Sequence, residues 1–445
     1  MFPRFEEGFI MGKVPLGLAY IAAVLKERGH YVEAYNLIVD PVDEIDFGKF
    51  DFCGITCLTS FISEVRSLSA YLREKNPKMK IVLGGAHPSV APGDALDISP
   101  SVDFAVAGEG EYSMLGLVES GGNPDVNMPG IYRLINGKAV GRKSKAIENL
   151  DKLPFPEQRI FDHGRLEKRN PFRAIIASRG CPFNCFNCQP YLRTVMPFRM
   201  RSPESVVSEM MHLNREYGQD YFGFIDSEFP VRKEWFRKFH RLMLDSGLRF
   251  SFHCNGRSDI IDEEIIESFK GMNITRLAIG VESGNQRVIN DVLNKRIDLG
   301  RTRQIFAAAA AAGVASHAHF MIGIPGETPG EMRETLDYAM SLDASSMEFN
   351  ILTPWPGTRF YELCRDNGWF VEGVKFEEFN EKRKAVVSTD AWSADDVAAF
   401  YEVIRRELTG RGWRNSRDWS VYFRPGAELD KEAVSQIIED THTEE

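Results

Sequence analysis

The stretch SRGCPFNCFNCQP, residues 178–190, contains three cysteines, and it follows an apolar run at 173–178 that predicts a strand. The cysteines are Cys181, Cys185 and Cys188, spaced C-x3-C-x2-C. Thiolates at this spacing on a single loop can all face one point, and soft sulfur ligands suit zinc or an iron–sulfur cluster. The stretch therefore predicts a metal site on a loop that leaves a strand.

The number of cysteines separates the two kinds of metal. A closed structural zinc site takes four ligands, and there is no histidine and no further cysteine between residues 172 and 201. A 4Fe–4S cluster has four irons, so three cysteines leave one iron open to another molecule. We interpret the loop as an open cluster site. A zinc site completed by a distant residue, or a chance grouping of cysteines, remains the alternative.

The cysteine stretch begins a series of alternating strands and helices. A helix starts at Pro203, with Ser202 as its expected cap, and a later helix is expected at 393–408. Six βα units would form a partial (β/α)6 barrel of the TIM type, with its site at the carboxyl ends of the strands. The predicted strands lie near 173–178, 221–226, 249–254, 276–281, 315–322 and 346–352.

The first 120 residues also alternate between helices and strands. We predict helices at 16–30, 61–75 and from Tyr112, a possible strand at 31–37 and a loop at 86–93. Short apolar strands between helices are typical of a doubly wound, Rossmann-like parallel sheet, which binds ligands where its strands end. The other strands are expected within 51–60, 80–85 and 102–111.

These patterns divide the chain into four parts. Residues 1–125 are expected to form the doubly wound domain, and no apolar run that predicts a strand precedes residue 16. Residues 126–170, with several prolines, read as an extended connector. The barrel occupies 171–385. Residues 386–445 hold one helix and an acidic tail that we expect to be partly disordered.

Composition limits the class of protein. The formal net charge of −10 argues against nucleic acid as a partner. Seven cysteines, an odd number, and an N-terminus without a signal peptide indicate a reducing, cytoplasmic environment. The alanine-rich stretch 305–323 is better explained by a helix and a buried strand than by a membrane span. Cys53 and Cys57 read as core residues rather than as a second metal site.

Further motifs follow the cysteine loop in a fixed order, and together they resemble the radical S-adenosylmethionine enzymes. The stretches PLGLAYIAAVLKERGH, VLGGAHPS and AGEGE resemble the cobalamin-binding domain that precedes the barrel in one large subgroup. The likeness covers roughly residues 11 to 370. Its barrel motifs are CPFNCFNC, RSPESVVSEM, GFIDSEF, GVESGNQRV, FMIGIPGET and PWPGT.

The resemblance implies that the open iron binds the amino and carboxylate groups of S-adenosylmethionine. Electron transfer from the cluster then yields a 5′-deoxyadenosyl radical that abstracts a substrate hydrogen. No catalytic residue is assigned, but eight positions match the cosubstrate site. They are Asp226, Ser227 and Glu228 for the methionine ammonium, Arg257 for the carboxylate, Glu282 and Ser283 for the ribose, and Gly323 and Gly326 near the adenine.

Five of these eight positions also have a structural interpretation. Asp226 and Glu228 could be solvated loop charges or a helix cap. Arg257 could bridge to Asp259 or Glu264. The two glycines could serve only to turn the chain.

The same resemblance implies a set of cobalamin contacts. His87 is a tempting ligand for the cobalt, but the D-x-H-x-x-G motif of cobalamin-dependent mutases is absent, since Gly85 stands two residues before it. A cobalt without a histidine ligand is therefore expected. The positions that would meet the corrin amides and the nucleotide tail are Thr56, Ser60, Gly84, Gly85, His87, Ser89, Gly108, Glu109 and Gly110.

The function implied is a cobalamin-dependent radical methyltransferase that acts on an unactivated carbon of a small-molecule or lipid-like substrate. Oxidative cyclisation or carbon–carbon bond formation by the same architecture, and a non-catalytic protein with a decayed site, remain open. The cluster would need an electron donor such as flavodoxin or ferredoxin. One departure from the family is Asn187, where relatives carry an aromatic residue beside the adenosyl group.

Overall fold

The computed structural model describes residues 1, 15–161, 173–188, 196–379, 384–415 and 421–424. The chain forms two compact units. The first contains Met1–Pro171, Arg179–Pro182 and Gln189–Met200, and the second contains Phe172–Ser178, Phe183–Cys188 and Arg201–Glu445. The four-part division at 125, 170 and 385 stays a prediction. The missing strand ahead of residue 16 and the acidic tail fall on residues 2–14 and 425–445, outside the described residues.

The first unit contains a five-stranded sheet in the order β1-β2-β3-β4-β5. Strands β1 to β3 are parallel, whereas β4 and β5 form an antiparallel hairpin that extends the sheet beyond β3. The segment predicted as an extended connector therefore supplies two strands. The strands are β1 (Phe52–Thr56), β2 (Lys80–Gly84), β3 (Phe104–Val106), β4 (Ile131–Ile135) and β5 (Lys138–Gly141).

Within the described residues of this unit, five helices accompany the sheet: α1 (Leu16–Glu27), α2 (Ile62–Lys75), α3 (Ala86–Val90), α4 (Pro92–Asp97) and α5 (Glu111–Glu119). The prediction of a loop at 86–93 is wrong, because α3 forms there and Pro92 starts α4, a position where proline is favoured. The possible strand at 31–37 is also wrong. Asn36 takes part in a single bridge, and the chain then turns at 37–39, where the Asp40 carboxylate accepts a 2.6 Å hydrogen bond from the Asn36 backbone.

The second unit confirms the six predicted βα units. Six parallel strands lie next to one another in chain order, from β6 at one edge through β9, β10, β11 and β12 to β13. Two short strands, β14 and β15, continue the sheet antiparallel at the β13 edge. The parallel strands are β6 (Arg173–Ile175), β9 (Tyr221–Phe224), β10 (Ser251–Gly256), β11 (Ile274–Glu282), β12 (Ser316–Ile322) and β13 (Ser346–Ile351).

The remaining elements connect these strands. The short strands are β7 (Ser178–Arg179), β8 (Arg199–Met200), β14 (Arg414–Asn415) and β15 (Val421–Phe423). The helices are α6 (Pro203–Tyr217), α7 (Lys233–Asp245), α8 (Glu263–Gly271), α9 (Leu299–Ala312), α10 (Pro329–Met340), α11 (Arg359–Asp366) and α12 (Ala394–Gly410), and Val288–Val292 forms a π-helical turn.

Local sequence explains several helix ends. Ser202 accepts a hydrogen bond from the Ser205 backbone at the start of α6, as predicted, and Ser393 accepts one from Asp396 at the start of α12. The alanine-rich α9 ends at Gly313, whose φ of 72° suits glycine. In the described part of the chain, no helix is long and apolar enough to cross a membrane.

The barrel sheet has two chemically different faces. Leu277, Ile279 and Phe320 belong to the hydrophobic core that also contains Ile305 of α9 and Leu336 of α10. Side chains alternate along a strand, so the intervening residues point away from these helices. We call that second surface the lumen face. It carries His253 and Asn255 of β10, Arg276, Ala278 and Gly280 of β11, His317, His319 and Met321 of β12, and Ser346, Glu348 and Asn350 of β13.

Candidate active site

The cysteine loop begins where β7 ends. Cys181 and Cys185 are partly accessible and Cys188 is exposed. In the second unit the loop is attached to the end of the π-helical turn, because the Phe186 backbone donates to the Leu293 carbonyl at 2.8 Å and the Asn294 amide donates to the Asn184 carbonyl at 2.8 Å. The loop therefore has a defined anchor close to two of its three thiols.

The other four cysteines differ from the loop cysteines. Cys53, Cys57, Cys254 and Cys364 are all buried, and burial raises the pKa of the Cys57 and Cys364 thiols to about 12. Cys53 and Cys57 lie in and directly after β1, with Ile55 between them also buried. They are core residues, as predicted. Among the described cysteines, only those of the loop offer accessible sulfur to a metal.

Arg257 links the loop to the ends of the strands. Its side chain is buried, and it donates to both carboxylate oxygens of Asp259 at 2.9 and 3.0 Å and to the Lys295 carbonyl at 2.8 Å. A third donor, Nη1, lies 3.7 Å from the Cys185 sulfur, and the guanidinium stacks on Phe183. The predicted bridge to Asp259 exists, whereas Glu264 pairs with Arg237 instead. Arg257 still brings a cation to one of the cluster thiols.

Lys295 is a second cation that sequence analysis missed. It is almost completely buried, and its ammonium group forms a 2.7 Å ion pair with Glu282. Burial lowers the pKa of Lys295, but the charges of Glu282, Glu228 and Cys185 outweigh this effect, so that the pKa is raised overall. A Cβ atom on Gly280 would lie 2.5 Å from the Glu282 carboxylate. The pair therefore fits over the lumen face because residue 280 has no side chain.

Glu228 faces these two cations. Burial raises the pKa of Glu228 to about 7, although the charges of Lys295 and Arg257 oppose the rise. The carboxyl group is thus poised between its protonated and ionised forms near neutral pH. Glu228, Arg257, Glu282 and Lys295 form one charged cluster at the carboxyl ends of the strands, beside Cys185. Ser227, the neighbour of Glu228, is half-buried.

Asp226 has a different environment from Glu228. Its buried carboxylate accepts hydrogen bonds from the Ala177 backbone, at 2.9 Å, and from the Ser178 hydroxyl, at 2.5 Å. Burial raises the pKa of Asp226 to about 6, and these hydrogen bonds limit the rise. Asp226 therefore holds the turn that precedes the cysteine loop, and the structure does not bring it to the charged cluster.

The other predicted cosubstrate positions lie in tight turns. The Ser283 hydroxyl is buried against the Thr335 hydroxyl at 3.0 Å. Gly323 and Gly326 have φ values of 71° and 102°, and a Cβ on either would come within 3.1 or 3.3 Å of a valine. Glu327, which sequence analysis missed, accepts from the Ile324 backbone at 2.7 Å in the same turn. These residues shape the turn after β12.

In the first unit, the predicted cobalamin positions converge where β1, β2 and β3 end. The Ser89 hydroxyl donates to the Gly85 carbonyl at 2.7 Å and accepts from the Gly108 backbone at 3.0 Å. Gly110 precedes α5, and Ser60 lies in a short 3-10 turn after Thr56. A Cβ on Gly84 would meet nothing within 4 Å. An open glycine at the end of a strand suits the close approach of a planar ligand.

His87 and Glu109 are occupied by protein contacts. His87 has no accessible surface, and its Nδ1 lies 3.1 Å from the Thr59 hydroxyl. Glu109 is buried and forms ion pairs with Arg179 at 3.0 Å and Arg199 at 2.8 Å. Burial would raise the pKa of Glu109, but hydrogen bonds from Arg199, the Ile147 backbone and Arg179 lower it overall. Both side chains are thus buried among protein groups of the first unit.

Comparison with known proteins agrees with this geometry. Residues 175–339 match the radical SAM superfamily, and residues 13–118 match the B12-binding domain. An uncharacterized methyltransferase of Pyrococcus horikoshii is 29% identical over 79% of each chain. The anaerobic magnesium-protoporphyrin IX monomethyl ester cyclase of Rubrivivax gelatinosus is 29% identical over 82% of this chain and 68% of its own.

A solved structure shows the same fold. The radical S-adenosylmethionine methyltransferase TsrM from Kitasatospora setae, with cobalamin and a 4Fe–4S cluster bound, covers 96% of this chain and 87% of its own at a TM-score of 0.70 and 19% identity.

The residues present fit the cofactors of this family. Three accessible thiols on one loop, with a guanidinium against Cys185, suit an anionic iron–sulfur cluster. The open surface at Gly84 suits a corrin. The chain belongs to the radical S-adenosylmethionine enzymes with an N-terminal B12-binding domain, and its cofactors are a 4Fe–4S cluster, S-adenosylmethionine and cobalamin.

Proposed function

We propose that the enzyme is a methyltransferase that adds a methyl group to an unactivated carbon of a small-molecule substrate. The proposal rests on two features that occur in one chain. The first is a B12-binding domain. The second is a cysteine loop in which Cys185 lies against Arg257 and close to Lys295. When bound, the cluster and S-adenosylmethionine supply a carbon-centred radical, and cobalamin supplies a methyl group. The methyltransferase from Pyrococcus horikoshii supports this choice.

The protein's own residues bind and orient in this proposal. Cys181, Cys185 and Cys188 hold the cluster, and Arg257 and Lys295 offset its negative charge. Lys295 is also paired with Glu282, which reduces the net positive charge that it brings to the cluster. Glu228, with a pKa of about 7, is placed to accept a hydrogen bond from the methionine ammonium when it is ionised.

The cluster needs one electron for each cleavage, and we propose that a small electron carrier such as flavodoxin or ferredoxin supplies it. We expect the cluster held by the Cys181–Cys188 loop to accept that electron. The reducing cytoplasmic environment inferred from the cysteine content stays a prediction.

A second candidate is oxidative ring closure, and the Rubrivivax gelatinosus cyclase favours it. The two reactions differ in their co-products. A methyltransferase forms S-adenosylhomocysteine together with 5′-deoxyadenosine, whereas a cyclase forms 5′-deoxyadenosine alone.

The test uses the full chain, reconstituted without oxygen with iron, sulfide and cobalamin, and given S-adenosylmethionine and dithionite. We expect the protein to show corrin absorbance. We also expect the amount of S-adenosylhomocysteine formed to increase with the amount of bound cobalamin. Corrin binding without S-adenosylhomocysteine, but with 5′-deoxyadenosine, would favour ring closure. Absence of both products would indicate a non-catalytic protein.

Replacing Cys185 by alanine tests the cluster itself. We expect 5′-deoxyadenosine formation to fall to background, because two thiolates do not hold a 4Fe–4S cluster at this spacing. Cys254→Ala is the matched control, since that thiol is buried in the barrel core. Retained activity in Cys185→Ala, or equal loss in both variants, would remove Cys185 from the set of ligands.

A further inference from the structure

Two histidines of β12 lie side by side on the lumen face. His317 and His319 are separated by the single residue Ala318, so both imidazoles are on the same side of the strand. Their ring centroids are 4.4 Å apart, and the ring planes stand at 77° to each other. Neutral imidazole is the commonest metal ligand in proteins. The strand therefore presents two candidate ligands in contact with each other.

A carboxylate of the next strand faces both rings. Glu348 of β13 is the register partner of His319. Its Oε2 atom lies 3.1 Å from Nδ1 of His319 and 3.8 Å from Nε2 of His317. The ligand atoms of the three residues all lie within 4.8 Å of one another. We call His317, His319 and Glu348 the His-His-Glu cluster, since two nitrogens and one oxygen face a common point there.

The spacing of these atoms suits a metal ion. Nitrogen and oxygen ligands lie about 2.0–2.2 Å from zinc, which places neighbouring ligands of a tetrahedral site about 3.3 Å apart. The separations of 3.1 and 3.8 Å lie on either side of this value. The longer one also exceeds a normal hydrogen bond, so an ion between His317 and Glu348 accounts for it better than a direct contact does. Rotation of the His319 ring can bring the two nitrogens closer together.

The hydroxyl of Ser346 orients the buried histidine. Its oxygen lies 2.7 Å from Nδ1 of His317, and Ser346 is the register partner of His317. When Nδ1–H donates to this hydroxyl, Nε2 presents its lone pair toward Glu348. Histidines that bind metals almost always have a partner of this kind on the other ring nitrogen, which fixes the tautomer and the orientation of the ring. The cluster thus has both a set of ligands and a supporting contact.

Burial differs among the three members of the cluster. The side chains of His317 and Glu348 are 2% and 9% exposed, whereas that of His319 is 33% exposed. Packing therefore holds two ligands in place, and the third borders accessible surface, which gives an ion a way in. Three protein ligands leave the fourth position of a tetrahedral site to water or to another molecule.

We propose that His317, His319 and Glu348 bind a divalent transition metal ion, zinc(II) or iron(II), at a site that shares no residue with the cysteine loop. Two imidazoles and one carboxylate select such ions over Mg²⁺ and Ca²⁺, which prefer oxygen ligands. Zinc(II) and iron(II) share this ligand chemistry, and the measurement distinguishes them. The inference does not depend on the proposed function, because it concerns other side chains and another metal.

Metal binding can be measured without turnover. The reconstituted full chain, with its iron–sulfur cluster in place, is freed of loosely bound metal and titrated without oxygen with Zn²⁺, Fe²⁺ or Mg²⁺ alone. We expect one zinc, or one iron beyond those of the cluster, to bind per chain with a Kd of about 10 μM or below. The bound ion should also raise the Tm. The tighter of the two ions identifies the metal, and Mg²⁺ should produce neither effect.

Three variants assign the bound ion to the His-His-Glu cluster. Ser346→Ala keeps all three ligands but removes the partner of His317, so it should weaken binding by about 10- to 100-fold. His319→Gln removes a ligand and should weaken binding further. His253→Gln is the matched control, because His253 lies on the same face of the sheet, on β10, and should bind like the wild type. If His319→Gln fails to fold, the comparison of Ser346→Ala with the wild type stands in its place.

Several outcomes would overturn the proposal. They are the absence of stoichiometric zinc or additional iron, equal affinity in the wild type and His319→Gln, and an equal loss in His253→Gln. The iron and sulfide of the cluster are measured in the same samples, and zinc uptake matched by loss of cluster iron would assign the zinc to the cysteine loop instead. Formation of 5′-deoxyadenosine is measured in parallel without added metal, and its failure would count against the proposed function alone.

Discussion

Replacing Lys295 by methionine removes a buried cation and leaves Glu282 without its partner. The side chains of Lys295 and Glu282 are 7% and 16% exposed, so water cannot readily take over the lost contact. Methionine keeps most of the apolar stem of lysine, and the change is therefore mainly one of charge.

The structure sets the size of the effect. Removal of one partner from a buried ion pair costs about 3–5 kcal/mol, and two features favour the lower end. Glu282 keeps some contact with solvent, and the positive charge of Arg257 opposes that of Lys295. A loss of about 3 kcal/mol in a unit of this size corresponds to a fall in Tm of roughly 6–12 °C.

The assay is thermal unfolding of the anaerobic protein, followed by titration with S-adenosylmethionine. Lys270→Met is the matched control, because Lys270 and Glu267 form a 3.8 Å pair whose side chains are 57% and 72% exposed. An exposed pair contributes about 0–1 kcal/mol. Equal changes of Tm in the two variants would refute the argument, as would a Lys295→Met, Glu282→Gln double variant that is no more stable than Lys295→Met alone.

Two further predictions concern buried groups and backbone geometry. Burial raises the pKa of Glu327 from 4.5 to about 8; its folded form therefore holds a proton that the unfolded chain releases, and stability is lost as pH rises from 4.5 to 8. The loss should disappear in Glu327→Gln when Tm is measured against pH, and an unchanged pH profile would contradict the assignment. Gly180 has a φ of 80°, and a Cβ there would lie 2.3 Å from the Met196 carbonyl. Gly180→Ala should thus displace the start of the cysteine loop and lower the iron content, whereas Gly137→Ala, with a similar φ of 74° but open space, should leave iron content unchanged.

The barrel was predictable because its strands are apolar on the side that faces the helices. Leu277, Ile279 and Val281 alternate along β11, and all three are buried. The predicted boundaries differ from the observed ones by a few residues. Strand ends depend on register with neighbours, such as the shift between Gly280 and Glu282 where β11 meets β12, and register is a tertiary property.

The hairpin of the first unit could have been predicted from its local sequence, but the prolines of this segment favoured an extended connector. Asn136 and Gly137 join β4 to β5, with φ values of 51° and 74°, and an Asn-Gly pair between two strands is the strongest short-range sign of a hairpin. The loop expected at 86–93 failed for a different reason. Its helices are five and six residues long, which is too short for apolar periodicity to be visible.

Some residues of the candidate site could be predicted from the sequence, and others could not. The spacing of Cys181, Cys185 and Cys188 predicted a metal loop directly. Arg257 bridges to Asp259 and also approaches Cys185, so its two interpretations are not exclusive. Lys295 lies thirteen residues from Glu282, on the other side of a π-helical turn. No sequence pattern predicts a contact of that kind.

The ion pairs of Glu109 bear on how the protein can be divided. Arg179 and Arg199 belong to the first unit, although they stand after residue 170 in the chain. A fragment that ends at 125 or 170 would carry the buried carboxylate of Glu109 without either guanidinium. An unpaired buried charge costs several kcal/mol. Truncation at these points would thus yield an unstable fragment, and exchange of the N-terminal domain between relatives would succeed only if the two arginines travelled with it.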